Sequence, residues 1–145
     1  SLRDDRRSSE IARKHLLELN IALESYDRPV GSLSGGQRQS VAIARAVTEG
    51  VNMVILDEPT AALGVAQTKN VLALIRTLAA RHVAVIMVTH DIENVFEVAD
   101  RIVVLRLGQV VFDGATKSVS QAELVQLMAG IVPKEMQKNE HGTAD

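Results

Sequence analysis

Two apolar runs constrain the fold most: Met53-Val54-Ile55-Leu56, and Val83-Ala84-Val85-Ile86-Met87-Val88. Each ends in a stretch able to do chemistry, Asp57-Glu58 after the first and Thr89-His90-Asp91 after the second. Consecutive aliphatic residues without polar alternation predict short strands buried on both faces, as in a parallel sheet. Between them Val65 to Ala80 has the helical period, with Val71, Leu72, Leu74, Ile75 and Leu78 as a core face and Lys69, Arg76 and Arg81 on a solvated one. The interval from Glu58 to His90 has room for one helix and one strand, the length of a single crossover between parallel strands. Such a connection brings Glu58 and His90 to the same C-terminal edge, where open α/β sheets place their ligands. Taken alone, Asp57-Glu58 also fits a strand that ends in a charged turn, and a single histidine after a strand is more often structural.

A second stretch, Leu33-Ser34-Gly35-Gly36-Gln37-Arg38-Gln39-Ser40, predicts the start of a helix. Ser34 stands at the N-cap and Gln37 three residues on, the spacing of a capping box. The two glycines leave the N–H groups of the first turn unshielded by any Cβ. With the positive end of the helix dipole they form a seat for an anion such as phosphate. An ordinary capped helix with a glycine-rich start has the same local pattern. Gly31 to Gly36 also imitates the opening of the phosphate-cradling P-loop, G-x-x-x-x-G-K-[ST], but Gln37 and Arg38 stand where its lysine and hydroxyl belong. No other glycine pair has that spacing, so these residues contain no P-loop.

Around these features the chain is ordinary. Its 145 residues suit one domain at most, and a net charge of −2 gives no electrostatic reason to expect nucleic acid. There is no cysteine, which excludes disulfides and thiolate metal sites and fits a reducing compartment. No apolar run approaches the roughly 18 to 20 residues that span a bilayer, so any membrane association is expected to go through a partner. Ser8 or Ser9 is expected to cap a helix from Glu10 to Leu19, with Arg13, Lys14 and His15 on or near its solvated side. Asn20 to Ser32, with Pro29 and Gly31, is expected as a loop, and Glu49-Gly50 as the stop of the helix after Ser34. Farther on, Ile92 to Val98 predicts a short helix, and Ile102 to Leu105 and Val110 to Phe112 two strands joined at Leu107-Gly108-Gln109 and closed by Asp113-Gly114. Ser120 caps a last helix to about Met128, ended by Gly130. Pro133 to Asp145 is a polar tail, and His141 within it is assigned no role.

Leu33 to Ser40, Asp57 to Thr60 and Thr89 to Asp91 together resemble the signature, Walker B and switch-histidine motifs of ATP-binding cassette (ABC) ATPases, in that family's order and approximate spacing. The resemblance covers Ile11 to Gly130. It implies a partial P-loop NTPase fold of the ABC type: α/β, a parallel sheet with flanking helices, lacking the P-loop strand and keeping part of the helical subdomain. Residues 1–33 would belong to the helical subdomain, 34–130 to the signature helix and the C-terminal half of the core, and 131–145 to the tail. The resemblance assigns Asp57 to Mg²⁺, held through water, Glu58 to the general base and His90 to the γ-phosphate switch. Ser34, Gly35, Gly36 and Gln37 would contact the γ-phosphate of ATP bound by a partner subunit. Gly64 departs from the pattern, since the family's D-loop has aspartate there.

The resemblance further implies ATP and Mg²⁺ as ligands and a second ABC ATPase subunit in a head-to-tail dimer. Transmembrane permease subunits would be direct partners, a periplasmic sugar-binding protein an indirect one, and no nucleic acid is implied. The expected place is the cytoplasmic face of a bacterial inner membrane. Asp57 to Gly64 and Asn94 to Arg101 look most like the ATPases of bacterial sugar importers. The standard Gly-Gly-Gln-Arg-Gln of the signature, with the chain ending shortly after one cassette, implies the single-cassette ones of the ribose and fructose type. The adenine platform, P-loop and Q-loop would lie upstream of Ser1, so the chain is expected to be a fragment, inactive alone and marginal in stability because its sheet lacks a strand. Two other readings stay open: a non-transport ABC ATPase of chromosomes or ribosomes, and a degenerate regulatory cassette.

Overall fold

The computed structural model describes residues 2–26, 28–47 and 51–131, which cluster into two units, one up to His90 and one from Asp91. The Glu49-Gly50 stop and the tail with His141 lie outside the described residues.

In the first unit α1 runs Leu2–Glu18. The helix begins well before Glu10, and Ser8 and Ser9 sit inside it rather than at its cap. Residues 2–7 contain neither glycine nor proline, so nothing there stops the helix from extending. His15 also departs from expectation. It is half-buried, with Nε2 3.0 Å from the Ala44 carbonyl oxygen. A backbone acceptor far along the chain has therefore drawn it from the solvated face, while Arg13 and Lys14 are exposed. A short 3₁₀ turn, Val30–Ser32, leads into α2, Gly35–Ala46.

The crossover forms as its spacing requires. Strand β1, Met53–Asp57, pairs in parallel with β2, Ala84–Val88, with Asp57 opposite Val88. Helix α3 between them is Val65–Ala80 and buries Val71, Leu72, Leu74, Ile75 and Leu78, the face its period predicts. Of its charges, Arg81 is exposed yet donates from Nη1 to the Glu18 carbonyl at 2.8 Å, tying the end of α3 to the end of α1.

The strands are not buried on both faces as their composition suggested. Val54 and Leu56 are buried, whereas Met53, Ile55, Ile86 and Val88 are 54%, 62%, 48% and 53% exposed. In the register Ile55 stands opposite Ile86, so these residues share one face of the pleat. An aliphatic run reports that a strand suits burial; it does not report which of its faces this stretch of chain can cover.

In the second unit α4, Ile92–Val98, precedes the antiparallel pair of β3, Arg101–Arg106, and β4, Gln109–Ala115. Leu107 and Gly108 have φ of 50° and 77° and form a two-residue turn with both centres left-handed. Asp113-Gly114 does not close β4, which continues to Ala115, because Arg101 Nε and Nη2 donate to the two Asp113 oxygens across the pair at 2.8 Å each. Helix α5, Gln121–Ala129, starts with the predicted Ser120 cap, joined by Glu123 in a capping box, and ends at Gly130 with φ 84°. Ile102, Val104, Val119, Leu124 and Leu127 form this unit's core.

Candidate functional site

Glu58 begins the turn after β1, and its backbone is left-handed, with φ 44°. That conformation costs a non-glycine residue roughly 1–2 kcal/mol, and it is held here by packing, with Pro59 and Thr60 buried behind it. The Glu58 N–H donates to the Val88 carbonyl at 2.8 Å. The last rung of the parallel pair thus continues one residue past the strand and fixes Glu58 against the end of β2.

His90 meets it there. Its Nδ1 lies 2.7 Å from Glu58 Oε1, its backbone N–H donates to the same oxygen at 3.2 Å, and the Thr89 hydroxyl donates to Oε2 at 3.1 Å. Beside an ionised carboxylate the imidazole proton is assigned to Nδ1, which then donates. The hydrogen bond from the His90 ring holds the Glu58 carboxyl below its ordinary value, helped by Thr89 and opposed by desolvation. Glu58 therefore stays an anion at neutral pH. The His90 side chain is 83% exposed and that of Glu58 35%, so the ring can reach a ligand while the carboxylate keeps a defined place.

The second candidate region is the start of α2. Ser34 Oγ accepts the Gln37 N–H at 3.2 Å and Gln37 Oε1 accepts the Ser34 N–H at 3.0 Å. The box thus occupies two of the first-turn donors. Gly35 and Gly36 N–H, at the first two helical positions, have no acceptor within the helix. The Gln37 side chain is engaged in the cap, which gives it a structural duty beside the ligand contact expected of it.

The glycines also answer to packing. A Cβ built on Gly36 would lie 2.8 Å from Gln67 Cβ, and one on Gly35 3.3 Å from Leu63 Cδ2. Gly36 is therefore the point at which α3 approaches α2. Gln67 was not singled out in the sequence, although Gly64-x-x-Gln67 repeats the spacing of Ser34-x-x-Gln37 and could have flagged it. Its Oε1 accepts the Gly64 N–H at 3.3 Å, half of a capping box whose other half glycine cannot supply. Gly64 has φ −74° and ψ 166°, with open space where a Cβ would be. Replacing Gly64 by Asp is therefore expected to complete the cap and stabilise the chain by roughly a few tenths of a kcal/mol, seen as a rise of about 1–2 °C in the thermal midpoint. A lowered midpoint would count against this account of the N-cap.

Asp57 closes β1 and is exposed. Among the described residues no three His, Cys, Asp or Glu side chains gather into a metal cluster. A single exposed carboxylate suits Mg²⁺, which keeps most of its waters and takes one or two carboxylates plus phosphate oxygens.

A parallel crossover with a helix packed on it and polar residues at its C-terminal edge makes the first unit an α/β fold. The chain belongs to the ABC transporter family, whose pattern residues 3–61 match. It is 41% identical over 119 residues to a xylose/arabinose import ATP-binding protein of Sulfolobus acidocaldarius, covering 82% of this chain and 47% of that protein. To a fructose import ATP-binding protein of Rhizobium meliloti it is 42% identical over 120 residues, covering 82% and 46%. Among solved structures it resembles an inward-facing metal-chelate type ABC transporter, with 31% identity and a TM-score of 0.71 over 83% of this chain and 48% of that one. It also resembles an ABC transporter's ATP-binding cassette in an ADP conformation, with 26% identity and a TM-score of 0.68 over 91% and 49%. The chain spans about half the length of these proteins.

Proposed function

We propose that these residues are the signature-bearing half of the ATP-hydrolysing subunit of an ABC importer for a sugar. The observation that carries the reading is the 2.7 Å contact of Glu58 with His90 at the C-terminal edge of the parallel pair. Glu58, kept ionised, would take the proton of a water attacking the γ-phosphate in line, and His90 would carry its exposed ring to that phosphate. Mg²⁺ at Asp57 would neutralise phosphate charge when nucleotide is bound. The N–H groups of Gly35 and Gly36, in the loop opened by Ser34 and held by Gln37, would face the γ-phosphate of a nucleotide on a second cassette subunit. Names of relatives that import xylose, arabinose or fructose support the sugar class.

No helix among the described residues is long and apolar enough to cross a membrane. Permease subunits would therefore hold the protein at the cytoplasmic face of the inner membrane, with a sugar-binding protein delivering substrate on the far side. We assign residues 1–33 to the helical subdomain and 34–130 to the core.

The sequence contains no G-x-x-x-x-G-K-[ST], so the lysine and the main phosphate cradle must come from other residues. The purified 145-residue chain is expected to show no ATP turnover, and fusion to the P-loop half of a cassette to restore it. Turnover by the chain alone, at a rate proportional to chain concentration and free of contaminating ATPase, would overturn this reading.

A further inference from the structure

Three donors converge on the Glu58 carboxylate, and two of them belong to His90. The third does not. Thr89 Oγ1 donates to Oε2 at 3.1 Å, whereas both His90 donors, the backbone N–H at 3.2 Å and Nδ1 at 2.7 Å, go to Oε1. The two oxygens of one carboxylate are thus divided between neighbouring residues of different freedom. The His90 side chain is 83% exposed, and water competes for every bond its ring makes. Thr89 is half-buried, and its branched side chain is stiff about its first torsion. It follows Val88, whose carbonyl takes the Glu58 N–H at 2.8 Å. One strand end therefore grips Glu58 at its backbone and at its carboxylate, with the three side-chain torsions spanned between.

We propose that Thr89 is the positioning residue of this site: its hydroxyl fixes the Glu58 carboxylate through Oε2, so that the carboxylate keeps its direction when the His90 ring leaves Oε1. The function of that direction rests on the reading of Glu58 as the base. The geometric part stands apart from it and can be tested on the chain itself.

The substitutions are Thr89→Val, which keeps the shape and removes the hydroxyl, and Thr89→Ser, which keeps the hydroxyl. In the 145-residue chain, ¹⁵N shifts of the neutral His90 ring report which nitrogen carries the proton. The original protein and Thr89→Ser are expected to show the Nδ1–H form. Thr89→Val frees the carboxylate to turn, and the ring shifts toward the Nε2–H form that unbound imidazole prefers. Wild-type shifts in Thr89→Val, or shifts in Thr89→Ser that match Thr89→Val, overturn the proposal.

In a cassette completed with a P-loop half, Thr89→Val is expected to lower kcat on the order of tenfold, with KM for ATP unchanged and Thr89→Ser restoring the rate. If Thr89→Val turns over normally while Glu58→Gln is inactive, the proposal fails and the base assignment stands. If Glu58→Gln itself turns over normally, the base assignment fails, and the ring shifts still decide whether Thr89 orients the carboxylate.

Discussion

Glu58→Gln, placed in a cassette completed with a P-loop half, should lower ATP turnover by on the order of 10² to 10⁴. Glutamine keeps the length and shape of the side chain; with its oxygen toward His90 both His90 contacts can persist, and the Thr89 hydroxyl can turn to accept from the amide nitrogen. What it cannot do is take a proton from water. The expected signature is a fall in kcat with little change in ATP affinity, because the group acts on water rather than on nucleotide. Single-turnover measurement with labelled ATP separates this from slow product release. A near-normal chemical step would remove Glu58 from the role and leave its contact with His90 as an architectural tie.

Gly36→Ala should destabilise the first unit while Gly35→Ala should not. In a helix, alanine is favoured over glycine by up to about 1 kcal/mol, so propensity alone recommends both changes. At Gly36 the new methyl meets Gln67 Cβ at 2.8 Å, with Gln67 Cγ at 3.1 Å and Cα at 3.3 Å. Cα is backbone and Cβ is fixed to it, so neither can swing away, and α2 and α3 must part. Overpacking of this kind costs about 1–3 kcal/mol, which exceeds the gain from propensity. At Gly35 the nearest atom is Leu63 Cδ2 at 3.3 Å, the mobile end of a side chain. Urea unfolding of the two variants checks the contrast through their midpoints at constant slope. Equal midpoints would mean that the approach of α3 does not require glycine at position 36.

The parts of this structure that were legible in the sequence are those set by neighbours close in the chain. Helix α3 has the predicted bounds and buried face because five aliphatic residues recur at helical spacing. The box at Ser34 and the cap at Ser120 form because partners three residues apart need nothing from elsewhere. Glu58 and His90 meet because the length of a crossover fixes which strand ends share an edge. What was not legible depends on distant partners. His15 looked solvated because nothing near it in sequence shows that the Ala44 carbonyl will lie beside it. The exposure of Met53 and Ile55 was hidden because composition suits a strand for burial without naming what covers it. Gln67 passed as one polar residue on a helix until the approach of Gly36 gave it a position.

The left-handed backbone of Glu58, at φ 44°, sets stability against chemistry at one residue. Glycine or asparagine would take that conformation at lower cost, so the substitutions most favourable to folding there are ones that remove the carboxylate. A population drifting under selection for stability alone would lose Glu58 early; with Glu58 as the base proposed above, one that must hydrolyse ATP would keep it against a standing thermodynamic pull. Under that proposed role, glutamate at a position better suited to glycine is a mark, written in the backbone, of the demand that activity would make on the fold.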